Sequence, residues 1–335
     1  MPKPRTVVLM TREMQASVFS EPHLARLGAL VELTPAREED EITPEWQQSA
    51  MNGAEIIITG WGTHAISDAM LDAAPDLRLM CHSAGSIKHL ISPEFAARGI
   101  RVTSAAPALA VGVAEFAFGL MLMSMKAVWA CIAATNAGRW EREPVLDWIC
   151  EPHEATVGII AASRVGRELL RLCKNLSLKS ILLYDPFVDA EEAAGLGVEK
   201  VSLDELMRRS DVVQLCAPDL PATRHMINAE KLALMRDKAI FINTSRGALV
   251  DEAALVAELK NGRILACLDV TDPEPPESGS PLYTAPNCIL TPHIAGAVKQ
   301  NIRRQGESVL EQIEAFVTGG PMPSEVALER LDILA

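Results

Sequence analysis

The stretch VGIIAASRVGRELL, residues 157–170, combines an apolar run, a turn of small residues and the start of a helix. This order is typical of the first strand–turn–helix of a dinucleotide-binding unit, where the glycine pattern G-x-G-x-x-G lets the backbone approach a pyrophosphate. Here the three glycine positions hold Ala161, Ser163 and Gly166. The context therefore predicts the fold, whereas the two missing glycines leave open whether a dinucleotide still binds.

Further apolar runs follow this stretch, and helical patterns separate most of them. The predicted strands are residues 156–161, 180–185, 212–217, 239–244, 265–270 and 288–293. Strands that alternate with helices form parallel sheets covered on both faces. The C-terminal part of the chain is therefore predicted to be a doubly wound dinucleotide-binding domain.

The first hundred residues show the same alternation of short apolar runs and helical patterns. The predicted strands here are residues 6–10, 54–60, 77–85 and 100–105. Near the C-terminus, residues 298–320 form one helical pattern that ends at a Gly-Gly-Pro sequence. We therefore predict an α/β protein with two Rossmann-like domains. A dinucleotide-binding domain, residues 108–297, is inserted into a flavodoxin-like substrate domain, residues 1–107 and 298–335.

Composition argues against several classes of function. Of the 335 residues, 49% are hydrophobic and 22% charged, with a net charge of −13, which would repel a nucleic-acid backbone. The seven cysteines are scattered and include no C-x-x-C pair, so we expect neither a disulfide framework nor a metal site. No nucleic-acid partner and a cytoplasmic location are therefore expected, the latter also because no signal peptide opens the chain.

One segment has nearly the length of a membrane span. Residues 107–125, PALAVGVAEFAFGLMLMSM, are almost entirely apolar. Glu115 lies near the middle, however, where a charge costs roughly 3 kcal/mol on insertion. We therefore expect a buried helix between the domains and no membrane partner.

Polar side chains follow three of the predicted strands at the edge of the sheet where ligands bind. Arg246 follows the strand at 239–244, and Asp269 and Glu274 lie at and after the end of the next strand. His293 ends the strand at 288–293. An arginine holds a carboxylate with two parallel hydrogen bonds, and a histidine moves a proton near neutral pH while a carboxylate orients it. These residue types suit the oxidation of a 2-hydroxy acid or the reduction of a 2-keto acid.

The same segments resemble a known family. FINTSRGALVDEAALVAELKNGRI, LDVTDPEPP, SPLY and LTPHIAG occur in the order found in D-isomer-specific 2-hydroxyacid dehydrogenases of the phosphoglycerate dehydrogenase type, and the similarity covers roughly residues 50–325. The resemblance implies a D-2-hydroxy acid or 2-keto acid substrate. It also implies that Arg246 binds the substrate carboxylate and carbonyl, that His293 is the acid/base, and that Glu274 is its partner.

The expected cofactor is NAD. Asp185 ends the second strand about 20 residues after Gly166, where an acidic residue binds the ribose hydroxyl and opposes the extra phosphate of NADP. The amides at the start of the helix, Ser163 to Val165, can bind an anion, and the resemblance places Arg164 beside the pyrophosphate. The resemblance also implies further cofactor contacts at Cys216, Ala217, Pro218, Thr223, Thr244, Asp269 and Gly296.

The substrate side is less specific. The resemblance implies that backbone amides around Ala84 and Gly85 meet the substrate carboxylate. Trp61, in TGWGTH (59–64), stands in a stretch where phosphoglycerate-oxidising relatives carry arginines, which favours an uncharged or aromatic substrate group over a phosphate. His82, Lys88 and His89 are expected to be solvated.

Two functional alternatives remain open at the level of sequence. One is catalysis, and the other is an NAD(H)-binding corepressor or sensing protein on the same scaffold, because such relatives can keep the three catalytic residues. The apolar helix at 107–125 and the resemblance also predict a homodimer.

Overall fold

The computed structural model describes residues 2–34, 36–37, 42–140 and 143–333. The chain forms two compact units, Met1–Ala110 with Gly296–Leu334 and Val111–Ala295. The second unit is thus inserted into the first. Gly296, which was assigned from sequence to the inserted domain, belongs to the first unit.

The first unit contains a parallel sheet with helices between its strands. Its elements before residue 105 are β1 (Arg5–Leu9), α1 (Arg12–Val18), α2 (Glu21–Leu30), β2 (Glu32–Thr34), α3 (Pro44–Met51), β3 (Ile56–Thr59), α4 (Asp68–Ala73), β4 (Leu79–His82), α5 (Glu94–Ala97) and β5 (Arg101–Ser104). The strand order is β2-β1-β3-β4-β5, which is the flavodoxin-like order. The short strand β2 was not predicted.

The second unit contains the larger parallel sheet. From residue 106 to residue 290 the elements are α6 (Ala106–Met125), α7 (Val128–Asn136), α8 (Glu143–Leu146), β6 (Thr156–Ile160), α9 (Arg164–Cys173), β7 (Ser180–Tyr184), α10 (Ala190–Gly195), β8 (Glu199–Lys200), α11 (Leu203–Arg209), β9 (Val212–Leu215), α12 (Ala229–Leu234), β10 (Ile240–Asn243), α13 (Glu252–Lys260), β11 (Leu265–Leu268) and β12 (Cys288–Leu290). The order is β12-β11-β10-β9-β6-β7-β8. All six predicted strands are present, and β8 is an addition.

This strand order explains where a ligand would bind in the second unit. β6 pairs with β7 on one side and with β9 on the other, all parallel, so the chain winds outward in both directions from β6. Ligands of open parallel sheets bind beyond the carboxyl ends of the strands at such a reversal. β9 and β10 are buried along their whole length, as strands covered on both faces must be.

The long apolar helix α6 packs on the second sheet from residue 111 onward. Its buried Met121 and Met125 belong to the same core cluster as Val157 and Ile159 of β6. Within the described residues, α6 is the one helix long and apolar enough to cross a membrane by length and composition, and 44% of its apolar window is buried. Its first five residues, 106–110, belong to the first unit.

The last helix, α14 (Lys299–Thr318), returns the chain to the first unit. It ends at Gly319, whose φ of 77° places it in the left-handed region that glycine adopts without cost. Short 3-10 helices complete the fold at Pro152–Glu154, Gly247–Leu249, Pro281–Tyr283 and Leu328–Ile333.

Candidate functional site

The turn between β6 and α9, residues 161–163, has the shape of a glycine turn without its first glycine. Ala161 has a φ of 77° and is buried. A left-handed conformation costs a non-glycine residue roughly 1–2 kcal/mol. The turn therefore keeps the backbone path that the missing glycine would favour, and the surrounding contacts must offset this cost.

The one fingerprint glycine that remains, Gly166, is required by close packing. A Cβ atom at this position would lie 2.2 Å from the carbonyl oxygen of Ala161 and 3.5 Å from the Cβ of Cys216. Because any side chain would collide with backbone, α9 can approach β6 this closely only with glycine here.

The N-terminus of α9 is suited to an anion. The Ser163 hydroxyl accepts the Gly166 N–H (3.2 Å) and so caps the helix, while the amides of Arg164 and Val165 find no acceptor in the described parts of the chain. The Arg164 side chain is half-buried and has no hydrogen-bond or ion-pair partner among those residues. Burial lowers the pKa of Arg164, because a desolvated cation without an anion is disfavoured. These groups fit the pyrophosphate of a dinucleotide.

Ala162, in the middle of the turn, is held at both of its polar backbone atoms. Asp185 Oδ2 accepts its N–H at 2.8 Å, and Arg167 Nε donates to its carbonyl at 2.9 Å. The other oxygen of Asp185 accepts the N–H of Phe187 at 2.7 Å. Arg167 is absent from the site residues predicted from sequence. Its place in the first turn of α9, directly after Gly166, is the signal that could have identified it.

The residues expected to surround the adenine and ribose follow β9. Cys216 and Ala217 are buried, and the Cys216 N–H donates to Ile160 at the end of β6 (2.9 Å). The Thr223 hydroxyl donates to the Pro218 carbonyl at 2.6 Å. These bonds fix the wall beside the β6–α9 turn.

Two of the predicted catalytic residues are in direct contact. His293 Nδ1 and Glu274 Oε1 are 2.6 Å apart, and the two side chains are 47% and 42% exposed. His293 has a φ of 52°, a strained conformation of the kind found at functional sites. The pair therefore combines an oriented imidazole with access from solvent.

The loop that carries His293, residues 291–295, is organised by Asp269. One carboxylate oxygen of Asp269 accepts the Thr291 hydroxyl (2.6 Å) and the Ile294 N–H (2.9 Å). The other accepts the Ala295 N–H (2.8 Å). The backbone carbonyl of Asp269 accepts the His293 N–H at 2.9 Å. Asp269, predicted to bind the nicotinamide carboxamide, is 1% exposed and anchors the loop that carries His293.

Arg246 lies on the loop after β10, which packs against the loop that leads to Glu274. A Cβ atom on Gly247 would lie 1.9 Å from the backbone carbon of Thr271, so these two loops touch through their backbones. Asn243 Nδ2 donates to the Arg246 carbonyl at 2.9 Å. The Arg246 side chain is exposed. Thr244, a predicted nicotinamide neighbour at the end of β10, is buried.

Three of the predicted substrate-binding residues, Trp61, Ala84 and Gly85, lie in the first unit, whereas Arg246 lies in the second. Ala84 is buried and Gly85 partly so. The Ser104 hydroxyl donates to the carbonyls of both residues, at 3.1 and 2.5 Å, and does not bind their amides. Trp61 is partly exposed and packs against a core cluster that includes Met10.

The expectation that His82 is solvated is wrong. His82 is 2% exposed and lies opposite Thr59 on the neighbouring strand, where its Nδ1 is 2.9 Å from the Thr59 hydroxyl. Burial, followed by the charge of His89, lowers the pKa of His82 to about 4, so the ring is neutral at pH 7. Lys88 and His89 are exposed as predicted.

Comparison with known proteins identifies the family. Residues 118–295 match the model of the D-isomer specific 2-hydroxyacid dehydrogenase, NAD binding domain. The chain belongs to this family. The second unit is its NAD-binding domain, which confirms the cofactor predicted from sequence.

Two curated relatives are similar over most of this chain. The glyoxylate reductase of Korarchaeum cryptofilum is 34% identical over 80% of this chain and 81% of its own length. The D-3-phosphoglycerate dehydrogenase of Methanocaldococcus jannaschii is 32% identical over 83% of this chain but 52% of its own length. The chain thus spans about half the length of that phosphoglycerate dehydrogenase.

The fold also matches a solved structure. The apo D-mandelate dehydrogenase of Rhodotorula graminis superposes with a TM-score of 0.81 at 23% identity, covering 97% of this chain and 98% of that one. This match and the two parallel sheets confirm the predicted fold class.

Proposed function

We propose that the protein is an NAD-dependent oxidoreductase that interconverts a D-2-hydroxy acid and a 2-keto acid. The observation that carries this proposal is the 2.6 Å contact between His293 Nδ1 and Glu274 Oε1. A paired imidazole and carboxylate at the carboxyl edge of a dinucleotide-binding sheet is suited to moving a proton on and off an oxygen. Family membership and the NAD-binding domain support the same reaction class.

Each catalytic residue has one task. The Nδ1–H of His293 donates to Glu274, which leaves Nε2 to give a proton to the carbonyl oxygen of a keto acid or to take one from a hydroxy acid. Glu274 stabilises the imidazolium form that donates the proton. Arg246 pairs with the substrate carboxylate and orients the carbon that reacts. NAD(H), when bound, supplies or accepts the hydride.

The substrate we propose carries an uncharged or aromatic side group. TGWGTH (59–64) contains no arginine or lysine, and Trp61 presents a partly exposed aromatic face. Relatives are named as reductases of glyoxylate and hydroxypyruvate and as phosphoglycerate dehydrogenases. As the substrate we favour glyoxylate, hydroxypyruvate or a larger apolar keto acid over a phosphorylated compound.

The decisive measurement is NADH oxidation with a panel of glyoxylate, hydroxypyruvate, pyruvate, phenylglyoxylate and 3-phosphohydroxypyruvate. We expect turnover with at least one keto acid whose side group is uncharged, and the weakest activity with the phosphorylated one. NADH binding without turnover of any keto acid would contradict the enzyme and favour the corepressor or sensing alternative. The strongest activity on 3-phosphohydroxypyruvate would contradict the substrate class.

We further propose that NAD is preferred to NADP. Asp185 is an acidic residue at the end of β7, and a carboxylate there repels the phosphate of NADP. Calorimetric titration with NADH and NADPH tests this, and Asp185→Ala should reduce the preference. Equal or tighter NADPH binding by the wild-type protein would remove this role from Asp185.

The protein is also proposed to be a cytoplasmic homodimer. The apolar helix α7 has no buried residue in the described chain, and Ile132 on it is 46% exposed. Burial of the exposed apolar surface of α7 against a second copy of the chain would remove that surface from water. Light scattering should give the dimer mass, and Ile132→Glu should shift it toward the monomer. The free thiols suit a reducing compartment, which cell fractionation can test.

A further inference from the structure

The β6–α9 turn raises the question of what holds Ala161 in a left-handed conformation. Glycine populates this region without steric cost, whereas alanine does not. The adjacent residue, Ala162, is bound at its N–H by Asp185 and at its carbonyl by Arg167. Both partners are charged, and hydrogen bonds to charged groups are stronger than those between neutral groups.

These two bonds restrict the torsions on either side of Ala162. The Asp185 bond fixes the peptide that joins Ala161 to Ala162, and the Arg167 bond fixes the peptide that joins Ala162 to Ser163. Ser163 is the N-cap of α9, and the amides of Arg164 and Val165 follow it directly. The bonds on Ala162 therefore set the position of the amides that fit a phosphate.

We propose that Arg167 is a positioning residue for the cofactor. With Asp185 it forms a clamp on Ala162 that holds the turn in the conformation that the missing glycines would adopt without strain. The inference rests on the proposed function, since it assumes that NAD(H) binds at the start of α9. Asp185 thus has a structural task besides the one assigned to it at the ribose.

The position of Arg167 distinguishes it from other arginines on α9. Its guanidinium bonds to the Ala162 carbonyl through Nε and to Glu192 on α10 through the terminal nitrogen, at 2.6 Å. Arg171, one turn later, pairs with Glu168 on its own helix. Arg171 and Glu192 therefore provide matched controls, because their replacement removes an ion pair without removing the bond to Ala162.

The turn also has little room to adjust without the clamp. The Ala161 carbonyl oxygen lies 2.2 Å from where a Cβ on Gly166 would be, so the turn cannot move toward α9. Loss of the clamp lets Ala161 leave the left-handed region, which displaces Ser163 and the amides that follow it. With glycine at position 161 this relaxation has no driving force.

The test is NADH affinity, measured by fluorescence titration, for Arg167→Met alone and combined with Ala161→Gly. We expect Arg167→Met to weaken NADH binding about 10-fold, the scale of one hydrogen bond to a charged group. In the Ala161→Gly background the same change should weaken binding less than about 3-fold, because glycine holds the turn by itself. Arg167→Lys should recover part of the loss, since its ammonium can donate to the Ala162 carbonyl.

The controls Arg171→Met and Glu192→Gln should leave NADH affinity unchanged. Arg167→Met without effect, or with an equal effect in both backgrounds, overturns the clamp while leaving the proposed function intact. A wild-type protein that binds no NADH overturns the proposed function, and the clamp with it. If thermal unfolding shows that Arg167→Met does not fold, the same comparison is made with Arg167→Lys, where a loss that Ala161→Gly does not reduce counts against the clamp.

Discussion

The β6–α9 turn and the His293 loop solve the same structural problem in different ways. Each contains a non-glycine residue at positive φ, Ala161 at 77° and His293 at 52°. In each, a carboxylate at the end of a neighbouring strand accepts backbone amides of the loop. Asp185 accepts the Ala162 N–H, and Asp269 accepts the amides of both Ile294 and Ala295.

The two carboxylates, Asp269 and Asp185, differ in their burial and in how many hydrogen-bond donors they already bind. Asp269 is 1% exposed and receives two loop amides and the Thr291 hydroxyl. Asp185 is 8% exposed and binds one amide of the turn and one of its own strand end. The loop that carries His293 is therefore held by more hydrogen bonds and is the more rigid of the two. The β6–α9 turn depends on fewer bonds.

The largest effect should come from removing the imidazole of His293, the proposed acid/base. His293→Ala should lower keto-acid reduction by about 100-fold to 10,000-fold, the range for general acid–base catalysis. NADH affinity should change little, because the β6–α9 turn is untouched. Steady-state kinetics and fluorescence titration on the same preparations check both parts. Undiminished turnover would exclude His293 as the acid/base.

The next effect compares the two carboxylates directly. Asp269→Asn removes the charge that binds three donors and should destabilise the protein by about 3 kcal/mol, whereas Asp185→Asn should cost about half as much. Calorimetric unfolding of the two variants gives the order. A larger loss for Asp185→Asn would reverse the ranking of the two loops.

A smaller effect is expected at Arg164, at the N-terminus of α9. Arg164→Ala should weaken NAD(H) binding by about 1–3 kcal/mol, the range for a lost charge-assisted hydrogen bond. Protein stability should hold or rise slightly, because Arg164 is half-buried without a partner in the described chain and burial lowers its pKa. Titration calorimetry and thermal unfolding separate the two quantities. Unchanged affinity would place the pyrophosphate elsewhere.

The smallest effect concerns the strain that both loops share. His293→Gly should be more stable than His293→Ala by about 1 kcal/mol, because glycine accepts positive φ while losing somewhat more entropy on folding. Ala161→Gly should change stability by less than this, because glycine there also loses the packing of the buried Ala161 methyl group. Denaturant unfolding of the three variants measures both. Equal stability of the two His293 variants would show that this residue is not strained.

The sequence predicted the parts of this structure that depend on local pattern. The central strands are buried apolar runs, and the glycines after α14 mark its end. The strands β2 and β8 were missed because they have three and two residues, none of them buried. His82 was misjudged because its burial depends on Thr59, which lies on the adjacent strand. Arg167 escaped because its partner is a backbone carbonyl whose direction only the folded turn defines.

The two hydrogen bonds on Ala162 have a consequence for how this turn tolerates mutation. Its shape is specified by side chains five and 23 positions away in the chain, as well as by the residue at position 161 itself. When two sets of residues each hold the same turn, one set can mutate without loss of the turn as long as the other set is kept. Selection for cofactor binding would then act on Arg167 and Asp185 as strongly as on the fingerprint. In a mutational library of this protein, glycine and alanine should be nearly interchangeable at position 161 only where both of those residues are retained.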